Sequence, residues 1–321
     1  MKKLKVLVTG GAGFIGSHLV DELLRGENRV IVYDNFDPFY TNKEENVEHH
    51  FGNSNFTLIK ADILDYPALS SAMRSVDVVF HEAAQPGIRY SIQNPKRVYE
   101  VNVIGTLNVL KAALDSQVKK VIFASSSSVY GLSKYLPFDE KHPTNPNSPY
   151  AASKLATETL CRVFHDVYGL NVVGLRYFSV YGPRQRPDQV IRIFVSNVLA
   201  GKPIAIYGDG EQTRDFTYVD DVVRAIICAA EVEEANGITI NIGSGKRISI
   251  NNLVEKITRL AGKEETTVVK KERYAGDFPH TLADISLAKK ILNYKPTVDL
   301  GIGLVNFIDW YQGFRKCCKK T

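Results

Sequence analysis

The chain has 321 residues, enough to bury a large core in one domain or in two closely joined ones. Hydrophobic residues make up 44% and charged residues 23%, which excludes a disordered or fibrous chain. The 40 lysines and arginines against 35 acids leave a net charge of only +5, with most basic residues interspersed among acids, so neither a nucleic-acid nor a membrane partner is expected.

Leu4 to Thr9 is a short apolar run rich in β-branched residues, the pattern of a strand buried on both faces. It runs into Gly10-Gly11-Ala12-Gly13-Phe14-Ile15-Gly16 and a helical pattern through Leu24. Gly11, Gly13 and Gly16 give G-x-G-x-x-G, and Gly10, Gly13 and Gly16 give G-x-x-G-x-x-G. Glycines there permit a tight turn and close backbone approach to a pyrophosphate, while Phe14, Ile15 and Gly16 open a helix whose N–H groups face it. A second strand, Arg29 to Tyr33, ends at Asp34-Asn35, roughly 20 residues past the glycines, where a carboxylate meets the adenosine ribose. An acid there repels a 2′-phosphate, so NAD is expected rather than NADP.

The alternation continues. Asn55 to Lys60 reads as a strand leading to Ala61-Asp62-Ile63-Leu64, where Asp62 suits the adenine amino group. Val76 to His81 is another strand, opening into Ala83-Ala84-Gln85-Pro86-Gly87, whose small residues let backbone lie along a cofactor. Pro95 to Ser116 is a long helix and Val118 to Ala124 a strand. This pattern predicts an α/β fold with a Rossmann-type, doubly wound parallel sheet. Ser125 to Ser128 follow at a strand's carboxyl end, where such folds place ligands.

In Ser148-Pro149-Tyr150-Ala151-Ala152-Ser153-Lys154, Pro149 suits a first helical turn, and the helix runs to Val167. Tyr150 and Lys154 lie one turn apart on one face. An ammonium near a phenol lowers a tyrosine pKa that starts at about 10, giving a proton carrier usable near neutral pH.

Beyond Phe178 the elements shorten. Helices are expected at Val190 to Ala200, Asp220 to Glu231, Ser286 to Leu292 and Leu300 to Gly313, with strands at Lys202 to Tyr207, Ile238 to Ile242 and Thr266 to Lys270. Residues 1–178 are expected to form the dinucleotide-binding domain and 179–321 mainly a smaller substrate-binding one, with some segments returning to the first. The four cysteines show no metal-ligand spacing, so no metal is expected; Cys161 and Cys228 read as buried thiols of a reducing, cytoplasmic setting.

TGGAGFIGSHL, His81-Glu82-Ala83-Ala84, FASSSSVYG, SPYAASK, Arg176 to Arg184, and Gly208-Asp209-Gly210 with Arg214-Asp215-Phe216 occur in order along the chain. This set resembles the extended short-chain dehydrogenase/reductase superfamily, and within it the NAD-dependent UDP-sugar 4-epimerases. The resemblance implies a triad of Ser126, Tyr150 and Lys154, with Lys154 also holding the nicotinamide ribose. Tyr150 would take the proton from the sugar 4-hydroxyl as hydride leaves carbon 4 for tightly held NAD. The 4-keto sugar then turns over and receives the hydride on its opposite face. In the 4,6-dehydratases, Asp and Glu stand at the positions of Ser127 and Ser128, and serine cannot do their acid–base work.

The resemblance also implies substrate contacts. Arg214 corresponds to a pyrophosphate clamp, Asp277 to a nucleotide-ribose contact, and Ser179 to a phosphate contact that many members make with Asn. Tyr274 stands where the family often has Arg, with Arg273 adjacent. Arg186 corresponds to a uronate-carboxylate contact, while the small Thr281 leaves room for an N-acetyl group. UDP-N-acetylglucosamine and UDP-glucuronate are therefore level as substrates, with UDP-glucose behind. Relatives dimerise through a four-helix bundle, expected here from Pro95–Ser116 and Pro149–Val167. The rival readings are a 4,6-dehydratase or decarboxylase, a sugar reductase, and a non-catalytic NAD-sensing protein.

Overall fold

The apolar runs of the first half pair into one parallel sheet. The computed structural model describes residues 1, 3–272 and 279–318. It places β1 (Lys5–Thr9), β2 (Arg29–Asp34), β3 (Phe56–Lys60), β4 (Val78–His81), β5 (Lys120–Ser126) and β6 (Val172–Tyr177) in this sheet. Short strands β7 (Val180–Tyr181), β8 (Ile204–Tyr207), β9 (Thr213–Arg214) and β10 (Thr217–Tyr218) follow. The chain then returns as β11 (Thr239–Ile242) to complete seven strands in the order β11-β6-β5-β4-β1-β2-β3. Two further short strands, β12 (Ile248–Ser249) and β13 (Val268–Lys271), pair with β9 and β8.

Strand order reverses about β1, which lies between β2 and β4, and the crevice past the carboxyl ends there is where such sheets take ligands. Registers Thr9↔His81 and His81↔Phe123 end β1 and β4 level, while β5 and β6 run three residues further to end level with each other at Ser126↔Tyr177.

The helices are α1 (Phe14–Arg25), α2 (Tyr66–Ala72), α3 (Ile88–Gln93), α4 (Pro95–Tyr99), α5 (Gly105–Asp115), α6 (Pro149–Tyr168), α7 (Val190–Leu199), α8 (Val219–Glu231), α9 (Ile250–Leu260), α10 (Ser286–Leu292) and α11 (Leu300–Cys318). The long helix expected from Pro95 is α4 and α5 joined through a wider, π-type turn at Glu100–Ile104. α2, α3 and α9 were not foreseen. Strand alternation splits the core into two layers: Val6 and Val8 join Leu19 and Ile226 on one face, and Leu7 joins Leu69, Leu110 and Phe164 on the other. Cys161 is buried as expected, whereas Cys228 is only partly so, because it lies at the margin of the α8 core face. Among the described residues, no helix is long and apolar enough to cross a membrane.

α6 carries the site, and its placement is over-determined. Ser148 caps it, accepting from the Ala151 N–H at 3.2 Å, and Gly169 ends it in a left-handed conformation. Buried Asn102 donates to Ser153 Oγ at 2.8 Å. Glu158 forms a two-bond ion pair with Arg176 of β6, Nε to Oε1 at 2.9 Å and Nη2 to Oε2 at 2.7 Å. Arg176 also donates to the Tyr130 hydroxyl, which donates to Asn241 of β11. Replacing Glu158 with alanine strands the guanidinium in the interior. The variant is expected to lose about 3 kcal/mol of unfolding free energy, read from the urea midpoint.

Candidate active site

The turn after β1 is shaped for a flat, anionic ligand. Gly10 has φ +68°, and a Cβ there would sit 2.7 Å from the backbone of Ala83, so a side chain would push the two strand ends apart. α1 begins directly beyond, at Phe14. Asp34 ends β2, its oxygens accepting from the N–H groups of Ala12 at 3.1 Å and Phe36 at 2.8 Å. Burial pushes its carboxyl pKa up, and Lys43 opposes the shift. Asn35 donates to Asp62 Oδ2 at 2.9 Å, and Arg97 lies between Asp37 and Asp62.

One cavity is lined by Gly10, Gly13, Phe14, Ile15, Gly16, Asp34, Asn35, Asp62, Ile63, Ala83 and Ala84, together with Tyr150, Lys154 and Arg186. By strand order, the carboxylates lie over β2 and β3 and the Tyr150 end lies over β5 and β6. A side-chain-free cradle at a helix start, with a carboxylate at the end of the second strand, fits a dinucleotide.

Ser126 stands at the end of β5, and its hydroxyl helps to stabilise the ionised Tyr150 phenol. Its Oγ accepts from the Ser128 N–H at 3.2 Å and the Ser128 hydroxyl at 2.9 Å, which leaves its own proton for Tyr150. Lys154 Nζ donates to the Ala124 carbonyl at 2.8 Å.

The electrostatics differ from the expectation that Lys154 depresses the Tyr150 pKa. Burial pushes the phenol up, and the strongest opposing influence is Arg186, followed by the Ser126 hydroxyl. Burial also brings Lys154 down to about 8. His81 shares hydrogen bonds with Thr9 and Thr106, and burial lowers its pKa to about 3, which keeps the ring neutral.

The expected substrate residues divide. Arg186 enters the cavity, its guanidinium paired to Asp188 at 3.0 and 3.1 Å. Its loop is fastened to α1: Pro183 O bonds to His18 at 2.9 Å, and Arg184 donates to Asp21 at 2.8 Å. Ser127 and Ser128 open a short helical turn after Ser126. Ser179 lies between β6 and β7, where its carbonyl accepts from the Thr217 N–H. Arg214, in β9, donates to the Thr213 carbonyl at 2.8 Å. Thr281 is buried and accepts from the Asp215 N–H, away from the cavity lining. Asp277, Arg273 and Tyr274 fall outside the described residues.

Several lining residues were missed. Tyr40 and Lys43 come from a segment without periodicity, and Arg97 lies in the expected helix from Pro95, where nothing marks it off from an ordinary surface charge. Glu82 and Tyr177 lay inside recognised segments without an assigned role; the Tyr177 hydroxyl donates to Glu82 at 2.8 Å.

The model of the NAD-dependent epimerase/dehydratase family matches residues 6–243. The chain belongs to this family. It is 40% identical over 313 residues to the UDP-glucuronate 4-epimerase of Thermodesulfobacterium geofontis, covering 95% of each chain. The Bacillus cereus UDP-glucuronic acid 4-epimerase, solved with UDP-glucuronic acid and NAD, superposes with a TM-score of 0.92 at 38% identity, over 97% of this chain and 100% of that one. The UDP-N-acetylglucosamine 4-epimerase of Methanobrevibacter ruminantium, solved with UDP-N-acetylmuramic acid, gives 0.91 at 38% identity, over 98% and 100%. NAD is the cofactor of this family. Here the glycine cradle, Asp34 and Lys154 would hold it.

Proposed function

We propose that this family member inverts carbon 4 of a UDP-sugar, and that its preferred substrate is a UDP-hexuronate, interconverting UDP-glucuronate and UDP-galacturonate. The observation that carries the sugar assignment is Arg186, a half-buried guanidinium in the same cavity as Tyr150 and Lys154. Asp188 takes the edge formed by Nε and Nη2, and the N–H groups on the other edge of the planar guanidinium suit a second carboxylate.

Bound NAD supplies the acceptor, and then the donor, of the hydride at carbon 4. Tyr150 takes the proton from the 4-hydroxyl and later returns it to the same oxygen. Ser126 bonds that oxygen and passes its proton toward Tyr150, supported by the two Ser128 bonds. Arg186 supplies positive charge toward the phenolate, partly offsetting a buried site that otherwise favours the neutral phenol, while Lys154 would hold the nicotinamide ribose. With serine at 127 and 128, no carboxyl stands beside Ser126 in sequence to expel water or carbon dioxide. Arg214, Ser179 and Asp277 belong in this reading to the UDP end, within a mainly substrate-binding segment, 179–321, beside a dinucleotide-binding segment, 1–178. The free thiols Cys161 and Cys228 accord with a cytoplasmic setting.

Each UDP-sugar incubated to equilibrium, with products resolved by epimer, tests the assignment. Tyr150→Phe should lower turnover by about a hundredfold or more, as expected for loss of a positioned acid–base group. Arg186→Ala should remove uronate turnover far more than that of a neutral sugar; equal losses would take the carboxylate away from Arg186.

The same reading includes a homodimer. Tyr99, Ile104 and Leu107 on the α4–α5 helix and Val163 and Val167 on α6 are exposed apolar residues on adjacent helices. Two copies would bury them as a four-helix bundle. Leu107→Lys combined with Val163→Glu should yield monomers in sedimentation velocity, and an unchanged coefficient would reject this face.

A further inference from the structure

Glu82 is an ionisable group inside the reactive end of the cavity to which the triad gives no task. It follows β4 directly, one residue past His81, whose register partner on β5 is Phe123. Continuing that register sets Glu82 level with Ala124, the residue whose carbonyl takes the Lys154 ammonium at 2.8 Å. From two strands away, Tyr177 donates its hydroxyl to Glu82 Oε1 at 2.8 Å, which orients the carboxyl. Glu82, Tyr177, Lys154 and Tyr150 all line the one cavity.

We propose that Glu82 is a positioning residue whose carboxylate keeps Lys154 charged inside the protein and favours an oxidised over a reduced dinucleotide beside it. The assignment rests on the redox reading of the site given above. A buried ammonium loses its water and tends to shed its proton; an opposite charge nearby restores the charged form. For Lys154, Glu82 is the strongest such charge, with Cys161 and Glu158 on its own helix acting the same way more weakly. Burial raises the Glu82 pKa to about 7, opposed by the Tyr177 bond and by Lys154. Tyr150 faces Arg186, Asp188 and Glu82, and His81 is held neutral, so Glu82 also restrains the phenol from ionising. An oxidised nicotinamide carries a positive charge that the reduced ring lacks. A carboxylate at this end therefore discriminates between them by charge alone.

The sign of the effect is fixed. The Lys154 pKa is already depressed, so removing Glu82's charge lowers it further and Lys154 becomes neutral at a lower pH. Glu82→Gln keeps the shape and the Tyr177 bond while deleting the charge. Two readouts need no sugar turnover: the pH dependence of Lys154 acylation by acetic anhydride, quantified by mass spectrometry, and the separate affinities for NAD and NADH. The acylation midpoint should fall by about one unit. The ratio of NAD to NADH affinity should fall about tenfold. Glu82→Asp should restore most of both. If Glu82→Gln does not fold, Glu82→Leu, of similar volume, serves in its place. An unchanged midpoint and affinity ratio in a folded variant would overturn the proposal, even if epimerisation proved correct; loss of epimerisation with both shifts present would instead count against the reaction assigned above.

Discussion

The ion pair between Glu158 and Arg176 is the constraint on which the site depends. Two parallel bonds tie the middle of α6 to β6, and the Arg176–Tyr130–Asn241 chain extends the tie to β11. Glu158 lies four residues past Lys154 and eight past Tyr150, so all three share one helical stripe. Fixing the rotation of that stripe at Glu158 fixes which way the phenol and the ammonium point. A buried pair contributes little net stability over an apolar equivalent, since desolvation offsets much of the attraction. Its value here is positional, because it admits one rotation of the helix and leaves others with an unpaired charge.

Burial is the second theme, and it acts against the chemistry before it helps. It raises Tyr150 and lowers Lys154, so both groups drift toward their neutral forms. The surrounding charges are arranged to resist this: Arg186 for the phenol, Glu82 for the ammonium. The loop carrying Arg186 is pinned to α1 through His18 and Asp21, and α1 begins at the glycine cradle. The loop that carries Arg186 and the glycine cradle are thus mechanically joined through one helix.

What the sequence disclosed was whatever depends on local spacing. The glycine loop, the carboxylate at the end of β2 and the Tyr150–Lys154 turn are all set by residues within a few positions of one another, and all meet in the cavity. The parallel sheet followed from alternation. Long-range features were not legible: β11 returns to the sheet after four short strands and two helices, and nothing in Thr239–Ile242 alone names its neighbour. Tyr40 and Arg97 reach the site from loop and helix surfaces that carry no pattern. The direction of the Tyr150 shift was misjudged because sequence spacing reports the nearby ammonium but not the burial that outweighs it.

The central claim is that carbon 4 is inverted by removing and restoring the same hydride, not by exchanging a proton with solvent. The direct measurement is to run the reaction to equilibrium in deuterium oxide and read isotope content at carbon 4 of the product by mass spectrometry and proton NMR. Hydride held on the cofactor between the two transfers leaves that position without deuterium. Deuterium at carbon 4 in step with epimerisation would mean that the carbon is deprotonated and reprotonated, and would contradict the roles given to Tyr150, Ser126 and Lys154.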